Sequence, residues 1–368
     1  MSTVAPPLDK LVPFSVSTFT YKIVDGHSIL ADVIVPKKLF GEGPGSPKWK
    51  AKRPVIVRYH GGWLIGGQRQ FLPWWPRWVL DIALKQDAII AVPDYRLLPE
   101  ATAEEILDDI HDFWKWLGNE FSVAVRNEYP GLQPDLDRVF LVGESAGGYL
   151  ALQTALSFYK PEGRATESGL RIRVAAAQYP LVSIRTPIWT QDYHKEILGQ
   201  PQYPNSKVDN HLAAIAAART STGKQPVETN IPMMTAALVP TPRAQLAVAI
   251  QQRGRYVDIL GPERDTSHGK RRLHHEDRIE DGAVLPPVLF VHGVDDQICP
   301  VEGTDAFIEH LRKYQGIDGL AQGKAESEVL KYCKVPGEHL FDTEVNLSED
   351  TDEWVKDAAA FVEKNWLE

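Results

Sequence analysis

Cysteine is scarce in this chain: its 368 residues include Cys299 and Cys333 and no others, so a disulfide framework of the small secreted kind is excluded. Long apolar runs are also missing, and none approaches the ~18 residues that a membrane span requires. The start, Met1-Ser2-Thr3-Val4-Ala5-Pro6-Pro7, has no basic segment leading into an apolar stretch, and the end, Trp366-Leu367-Glu368, is not a peroxisomal address. The expected compartment is therefore the cytosol, without membrane attachment. There is no Gly-x-Gly-x-x-Gly and no Walker-type loop, so no nucleotide cofactor is expected. His268, His274 and His275 lack the compact spacing of metal ligands, so no metal is expected either. Basic charge is in deficit, 40 Lys and Arg against 49 Asp and Glu, for a net charge of −9. That disfavours nucleic acid and anionic membranes as partners. The cluster Lys270-Arg271-Arg272 is followed by Glu276 and Asp277 and reads as a solvated loop.

Against these absences stands Gly143-Glu144-Ser145-Ala146-Gly147-Gly148, placed after the apolar run Arg138–Val142 and before the helix-prone stretch Tyr149–Tyr159. A strand, Gly-x-Ser-x-Gly and a helix in succession form a nucleophile elbow. Gly143 and Gly147 leave room for the helix to pack close behind the strand. Ser145 would then stand at a helix N-terminus, where free N–H groups face incoming negative charge.

A serine nucleophile needs a base, and the base needs an orienting acid, in the chain order Ser, acid, His for this kind of elbow. The strand-like run Pro287–Val291 opens into His292-Gly293-Val294-Asp295-Asp296-Gln297-Ile298-Cys299-Pro300. Asp296 is the acid expected there, with Asp295 as the alternative. A further strand, Val329–Val335, runs into Pro336-Gly337-Glu338-His339, which makes His339 the expected base. His292 is the competitor and reads instead as a support for its turn. Upstream, the run Pro54–Tyr59 opens into His60-Gly61-Gly62-Trp63. Acyl transfer builds an alkoxide that preorganised backbone donors must hold. The donors expected are the N–H groups of Gly62, Trp63 and Ala146, with Gly61 shaping the loop.

His60-Gly61-Gly62, Asp94-Tyr95-Arg96-Leu97-Leu98-Pro99-Glu100 and the elbow together resemble the hormone-sensitive-lipase-like branch of the α/β-hydrolases. That branch carries a His-Gly-Gly-Gly loop, a Tyr-Arg-Leu-x-Pro-Glu segment and a Gly-Asp-Ser-Ala-Gly elbow. The resemblance spans about 55–345, weakest in the middle, and places the family's serine, acid and histidine on Ser145, Asp296 and His339. This chain departs from the pattern at Trp63, at Glu144 and around the acid, which lacks the branch's Asp-Pro-Leu. The fold implied is an α/β-hydrolase: a mostly parallel eight-stranded sheet with helices on both faces and an inserted helical cap.

The rest of the pattern agrees with that fold class. Phe19–Val24 and Ser28–Val35 flank Asp25-Gly26, a hairpin signal. Strands are expected near 54–59, 88–93, 138–142, 173–179, 287–291 and 328–335. Ile106, Ile110, Phe113 and Leu117 share one helical face between two of them. About 100 residues, Leu181 to Gly282, then interrupt the rhythm, too many for a structureless loop in a compact domain. The division expected is a core of 1–182 and 283–368 with a helical cap at 183–282, and helices at Val208–Arg219 and Arg243–Arg253. The catalytic groups all fall on core strand ends, leaving walls and exclusion of water to the cap. Trp63, Trp74, Trp75, Glu144 and Trp189 are the substrate-binding candidates. The function expected is a serine hydrolase that cleaves a small or medium carboxylic ester or lactone through an acyl-enzyme. An amidase of the formamidase kind, a thioesterase and a non-catalytic small-molecule receptor are the alternatives. A homodimer is left open.

Overall fold

The computed structural model describes residues 10–42, 51–161, 169–262, 272–320, 325–348 and 350–368. The chain opens with an antiparallel hairpin, β1 (Phe14–Val24) and β2 (His27–Pro36), turning at Asp25-Gly26. Both turn residues have positive φ, 51° and 87°, the geometry that matches the twist of a two-residue hairpin. β1 starts five residues before the stretch expected from alternation, because Phe14 to Phe19 continue the ladder along β2. Then come β3 (Lys52–Tyr59), β4 (Ile89–Pro93), β5 (Gln133–Glu144), β6 (Ile172–Gln178), β7 (Val288–Gly293) and β8 (Leu330–Val335). Among the described residues these make one sheet in the order β1-β2-β4-β3-β5-β6-β7-β8, antiparallel at β1, β2 and β4 and parallel from there on.

Both faces of the sheet are covered, which is why the middles of its central strands, Val55–Val57 and Val139–Val142, are apolar on both sides rather than alternating. Val55, Val57 and Leu141 face one layer, and Ile56, Phe140 and Val142 the other. The second layer is made by α1 (Arg77–Lys85) and the C-terminal helix Glu353–Leu367, through Trp78, Val79, Ile82, Val355, Val362 and Trp366. The first includes α2 (Ala103–Asn119), α3 (Phe121–Glu128) and α4 (Ala146–Phe158). Ile106, Ile110, Phe113 and Leu117 are all buried along α2, which starts at a capping box between Thr102 and Glu105.

Between β6 and β7 lie five helices among the described residues: α5 (Pro187–Thr190), α6 (Asn205–Thr222), α7 (Pro242–Gln252), α8 (Tyr256–Ile259) and α9 (His275–Glu280). α6 buries only Val208, whereas α7 is buried from Arg243 to Gln252 except for Gln245. α7 is pinned to the sheet side by Arg243. Its guanidinium donates to the Ile65 and Leu98 carbonyls at 2.6 and 2.7 Å and pairs with Glu100, which also meets His211 Nε2 at 2.9 Å. Main-chain bonds from Gly67 N to Ile231 O and from Leu97 N to Glu228 O, 2.7 and 2.9 Å, add to the seam. The segment Asp94–Glu100 is thus a set of ties: Asp94 holds Arg69, Arg96 grips Asp109, and Glu100 holds α7.

Burial alone would raise the Glu100 carboxyl; hydrogen bonds from Arg243 and His211 outweigh it and hold the group at about 2, against 4.5 for a free glutamate. A depressed folded value means that the stability it contributes is complete above about 4.5 and drains away as pH falls towards 2. Glu100→Gln should therefore cost about 3–5 kcal/mol near neutrality. Melting curves of variant and wild type should converge on acidification. A gap that stays constant down to pH ~2 would contradict this reading.

Candidate active site

Ser145 sits between the end of β5 and the start of α4 with φ 57° and ψ −119°, a backbone conformation that L-residues rarely adopt. The surroundings enforce it. A β-carbon on Gly143 would lie 2.1 Å from the Gly147 carbonyl oxygen, and one on Gly147 would lie 2.0 Å from that of Tyr59. The Ser145 N–H donates to Gln178 O at 2.9 Å, and its carbonyl accepts from Leu181 N at 3.0 Å. Burial pushes the nearby Cys299 thiol far up, which keeps it protonated.

Asp296 lies in the turn after β7, and its two oxygens are both engaged. Oδ1 accepts the N–H groups of Ile298 and Cys299 at 2.8 and 2.9 Å; Oδ2 meets His339 Nδ1 at 2.7 Å and His292 Nε2 at 3.2 Å. Burial would raise this carboxyl, but His339, His292 and their hydrogen bonds outweigh it and hold it well below the usual carboxylate range. Asp295 is exposed and, among the described residues, its side chain accepts the Gly337 N–H alone, at 3.3 Å, as a turn residue does. His292 is fully buried and spans Thr304 Oγ1 and the Cys299 carbonyl, at 2.9 and 2.7 Å, so it braces the acid turn. With Nδ1 of His339 tied to Asp296, Nε2 is the nitrogen left to take a proton, and His339 lines the same cavity as Ser145.

Gly61, Gly62 and Trp63 border that cavity as well. Gly61 runs against the elbow, where a β-carbon would lie 3.0 Å from Glu144 O and 3.3 Å from Ser145 Cβ. Gly62 has φ 117° and Trp63 has φ 59°. Their carbonyls take partners in the loop and in α8, while their N–H groups are given to no other main-chain group among the described residues. Ala146 opens α4, so its N–H is one of the orphan donors of a helix start. His60 is stacked on Tyr95 at 4.3 Å and donates from Nδ1 to Gly61 O at 2.9 Å; burial lowers its imidazole to about 3, so it stays neutral and fixes the loop.

The substrate-binding candidates divide. Trp63 and Trp74 line the Ser145 cavity, with Leu198, Met234, Ile298 and Leu340. Trp75 does not reach it. Its ring lies under the Arg58 guanidinium at 4.1 Å and its N–H goes to Arg69 O, on the opposite layer of the sheet. Glu144 is fully buried and pairs with Arg58; burial pushes its carboxyl up to about 7 even beside that cation. Both residues support the elbow from behind. Trp189 lines a second cavity, of about 310 Å³, whose wall also includes Pro180, Val182, Ile188, Tyr193 and Cys299. His274 and His275 are buried, and His275 Nε2 donates to Tyr149 O. His268, Lys270 and Arg271 lie outside the described residues; Arg272 pairs with Glu104 and Asp108.

Sequence reasoning missed the groups that hold the others. Tyr179 sits edge-on to His339 at 4.8 Å and donates to Asp342, which also accepts from Trp78 and Gln178. From the segment between β6 and β7, Gln251 binds Trp63 Nε1 at 2.7 Å and Tyr256 OH donates to Trp63 O at 2.6 Å. That segment therefore grips the glycine loop as well as walling the cavity, a larger part than the sequence assigned to it. No pattern in the sequence links these residues to Trp63 across more than 180 positions.

Residues 56–250 match the family described as alpha/beta hydrolase fold. The chain belongs to this family, in its hormone-sensitive-lipase-like branch. It is 28% identical over 364 residues to a probable carboxylesterase of Phoma sp., covering 98% of this chain and 99% of that protein. It is also 26% identical to a segment of a non-reducing polyketide synthase of Emericella nidulans, covering 84% of this chain and 13% of the synthase. The structure of a Pyrobaculum calidifontis esterase shares the fold, with a TM-score of 0.53 at 19% identity, covering 97% of this chain and 88% of that one.

The two aspartates of the acid turn should separate cleanly on mutation. Asp296→Asn is expected to lower turnover of an activated ester by about 10⁴-fold, since an amide cannot hold the imidazole in the right tautomer. Asp295→Asn is expected to stay within about threefold of wild type, as for other exposed substitutions. Steady-state rates of the two purified variants decide it; the reverse ranking would move the acid to Asp295.

Proposed function

We propose that this protein is a serine carboxylic ester hydrolase working through an acyl-enzyme, with Ser145 as nucleophile, His339 as base and Asp296 as its orienting acid. The observation that carries the reading is the 2.7 Å bond from His339 Nδ1 to a carboxylate held ionised, beside the elbow serine in one cavity. Ser145 Oγ attacks the carbonyl carbon while His339 Nε2 takes its proton. The oxygen that gains charge is held by the N–H groups of Gly62, Trp63 and Ala146. Collapse expels the alcohol, which receives the proton from His339. Water then repeats the sequence on the acyl-serine and releases the acid. Both cysteines are free and buried, which supports the cytosol as the site of action. The segment 183–282 serves as the cap.

The cavity at Ser145 is small, about 30 Å³, so a medium acyl group needs more room than it offers. The cavity of about 310 Å³ is lined by Cys299 and walled by Ile188, Trp189, Val182 and prolines. It suits a medium, apolar acyl or aryl group. A second reading, release of an acyl thioester, is favoured by the likeness to a segment of a polyketide synthase.

Ser145→Ala should abolish hydrolysis of p-nitrophenyl acetate with the fold retained, and a fluorophosphonate should label Ser145 and no other serine. Labelling elsewhere, or full activity of the variant, refutes the assignment. Ile188→Trp, filling the larger cavity, should cut hydrolysis of octanoyl relative to acetyl esters by about tenfold or more, the loss of a few buried methylenes. An unchanged ratio would place the acyl group elsewhere.

A further inference from the structure

The geometry points to Gln251 as a positioning residue that spans the two halves of the catalytic machinery, fixing the glycine loop against the acid turn; this rests on the serine hydrolase reading. Gln251 is on the last turn of α7 and fully buried. Both ends of its amide are used. Oε1 accepts from Trp63 Nε1 and Nε2 donates to the Ile298 carbonyl, each at 2.7 Å. Ile298 in turn donates its N–H to Asp296 Oδ1 at 2.8 Å. One side chain thus lies one peptide from the acid and one residue from the loop glycines.

The loop needs such a partner. Trp63 and Leu64 both carry β-carbons at φ 59°, a conformation that persists only where the surroundings over-determine it. The helix end that presents Gln251 is itself fixed, because buried Lys195 donates from Nζ to the Gln191, Gln251 and Gln252 carbonyls at 2.6, 2.6 and 3.2 Å. An amide is required at this position. A carboxylate accepts from Trp63 but cannot donate to Ile298 O, and an aliphatic chain does neither. The neighbouring Gln252 is an internal reference. It is equally buried, yet it binds Tyr203 N, Lys195 O and Pro201 O, all within the segment between β6 and β7. Removing either amide leaves buried partners unpaired, so both losses should reduce stability. Only the loss at Gln251 should reach the chemistry.

The test compares Gln251→Leu, Gln252→Leu, Trp63→Phe and the Trp63→Phe/Gln251→Leu double variant, using p-nitrophenyl acetate and thermal melting. Gln251→Leu is expected to lower kcat by about 10–100-fold with KM within about threefold, since a small displacement of oxyanion donors acts on the transition state and not on a tiny substrate's binding. Gln252→Leu should show a comparable fall in Tm with kcat within about threefold. Trp63→Phe keeps the main-chain N–H and cuts the same bond from the loop side, so the double variant should lose less than the product of the single losses. If Gln251→Leu does not fold, a kcat loss of about tenfold in Trp63→Phe with unchanged KM carries the same conclusion. Equal kcat losses at Gln251 and Gln252, or fully multiplicative losses in the double variant, overturn the inference. Turnover that survives Ser145→Ala overturns instead the reading on which it rests.

Discussion

The approach of α4 to β3 and β5 sets the position of Ser145 and of the glycine loop that runs against it. Tyr59 O, Gly143 and Gly147 come so near each other that a β-carbon at either glycine would overlap main-chain atoms, at 2.0 and 2.1 Å. Because the strand and helix are that close, the chain between them has no relaxed path, and Ser145 is forced to positive φ with its side chain at the tip. Hydrophobic burial supplies the force: the apolar middles of the central strands are covered on both faces, and α4 packs within one of those layers. Arg58, Glu144 and Trp75 fill the space behind the elbow, which is why a carboxylate beside Ser145 is part of the scaffold and not of the pocket.

The acid turn solves a different problem, keeping a buried carboxylate charged. Isolated burial would favour the neutral form. Two N–H donors and two imidazoles around Asp296 reverse that preference. His339 is thereby held through Nδ1, with its ring lining the cavity shared with Ser145. The same logic recurs at Glu100, where Arg243 keeps a buried carboxylate ionised and in doing so anchors α7.

What could be read from the sequence follows from how local each feature is. The elbow, the Asp25-Gly26 hairpin and the buried face of α2 depend on residues within one turn or one strand of each other, so their spacing carries them. The sheet followed from the alternation of apolar strands with helices, and the resemblance supplied its closing details. Contacts between distant segments left no such trace. Trp74, Trp75 and Trp78 stand together in sequence, yet only Trp74 faces the cavity; Trp75 and Trp78 turn under the sheet to Arg69 and Asp342. Gln251, Arg243 and Tyr256 bind the glycine loop from more than 170 positions away, and nothing in their own surroundings announces it. The helical segment was therefore read as a wall when it is also a strut.

The most direct measurement of the central claim is the covalent intermediate. Rapid mixing of the protein with excess p-nitrophenyl acetate, quenched early in acid, should show a burst of p-nitrophenol close to one equivalent per chain. Peptide mass spectrometry should place one acetyl group on the peptide containing Ser145. A linear release with no burst, together with unmodified Ser145 and undiminished turnover, would show that the ester is cleaved without an acyl-serine and would contradict the account.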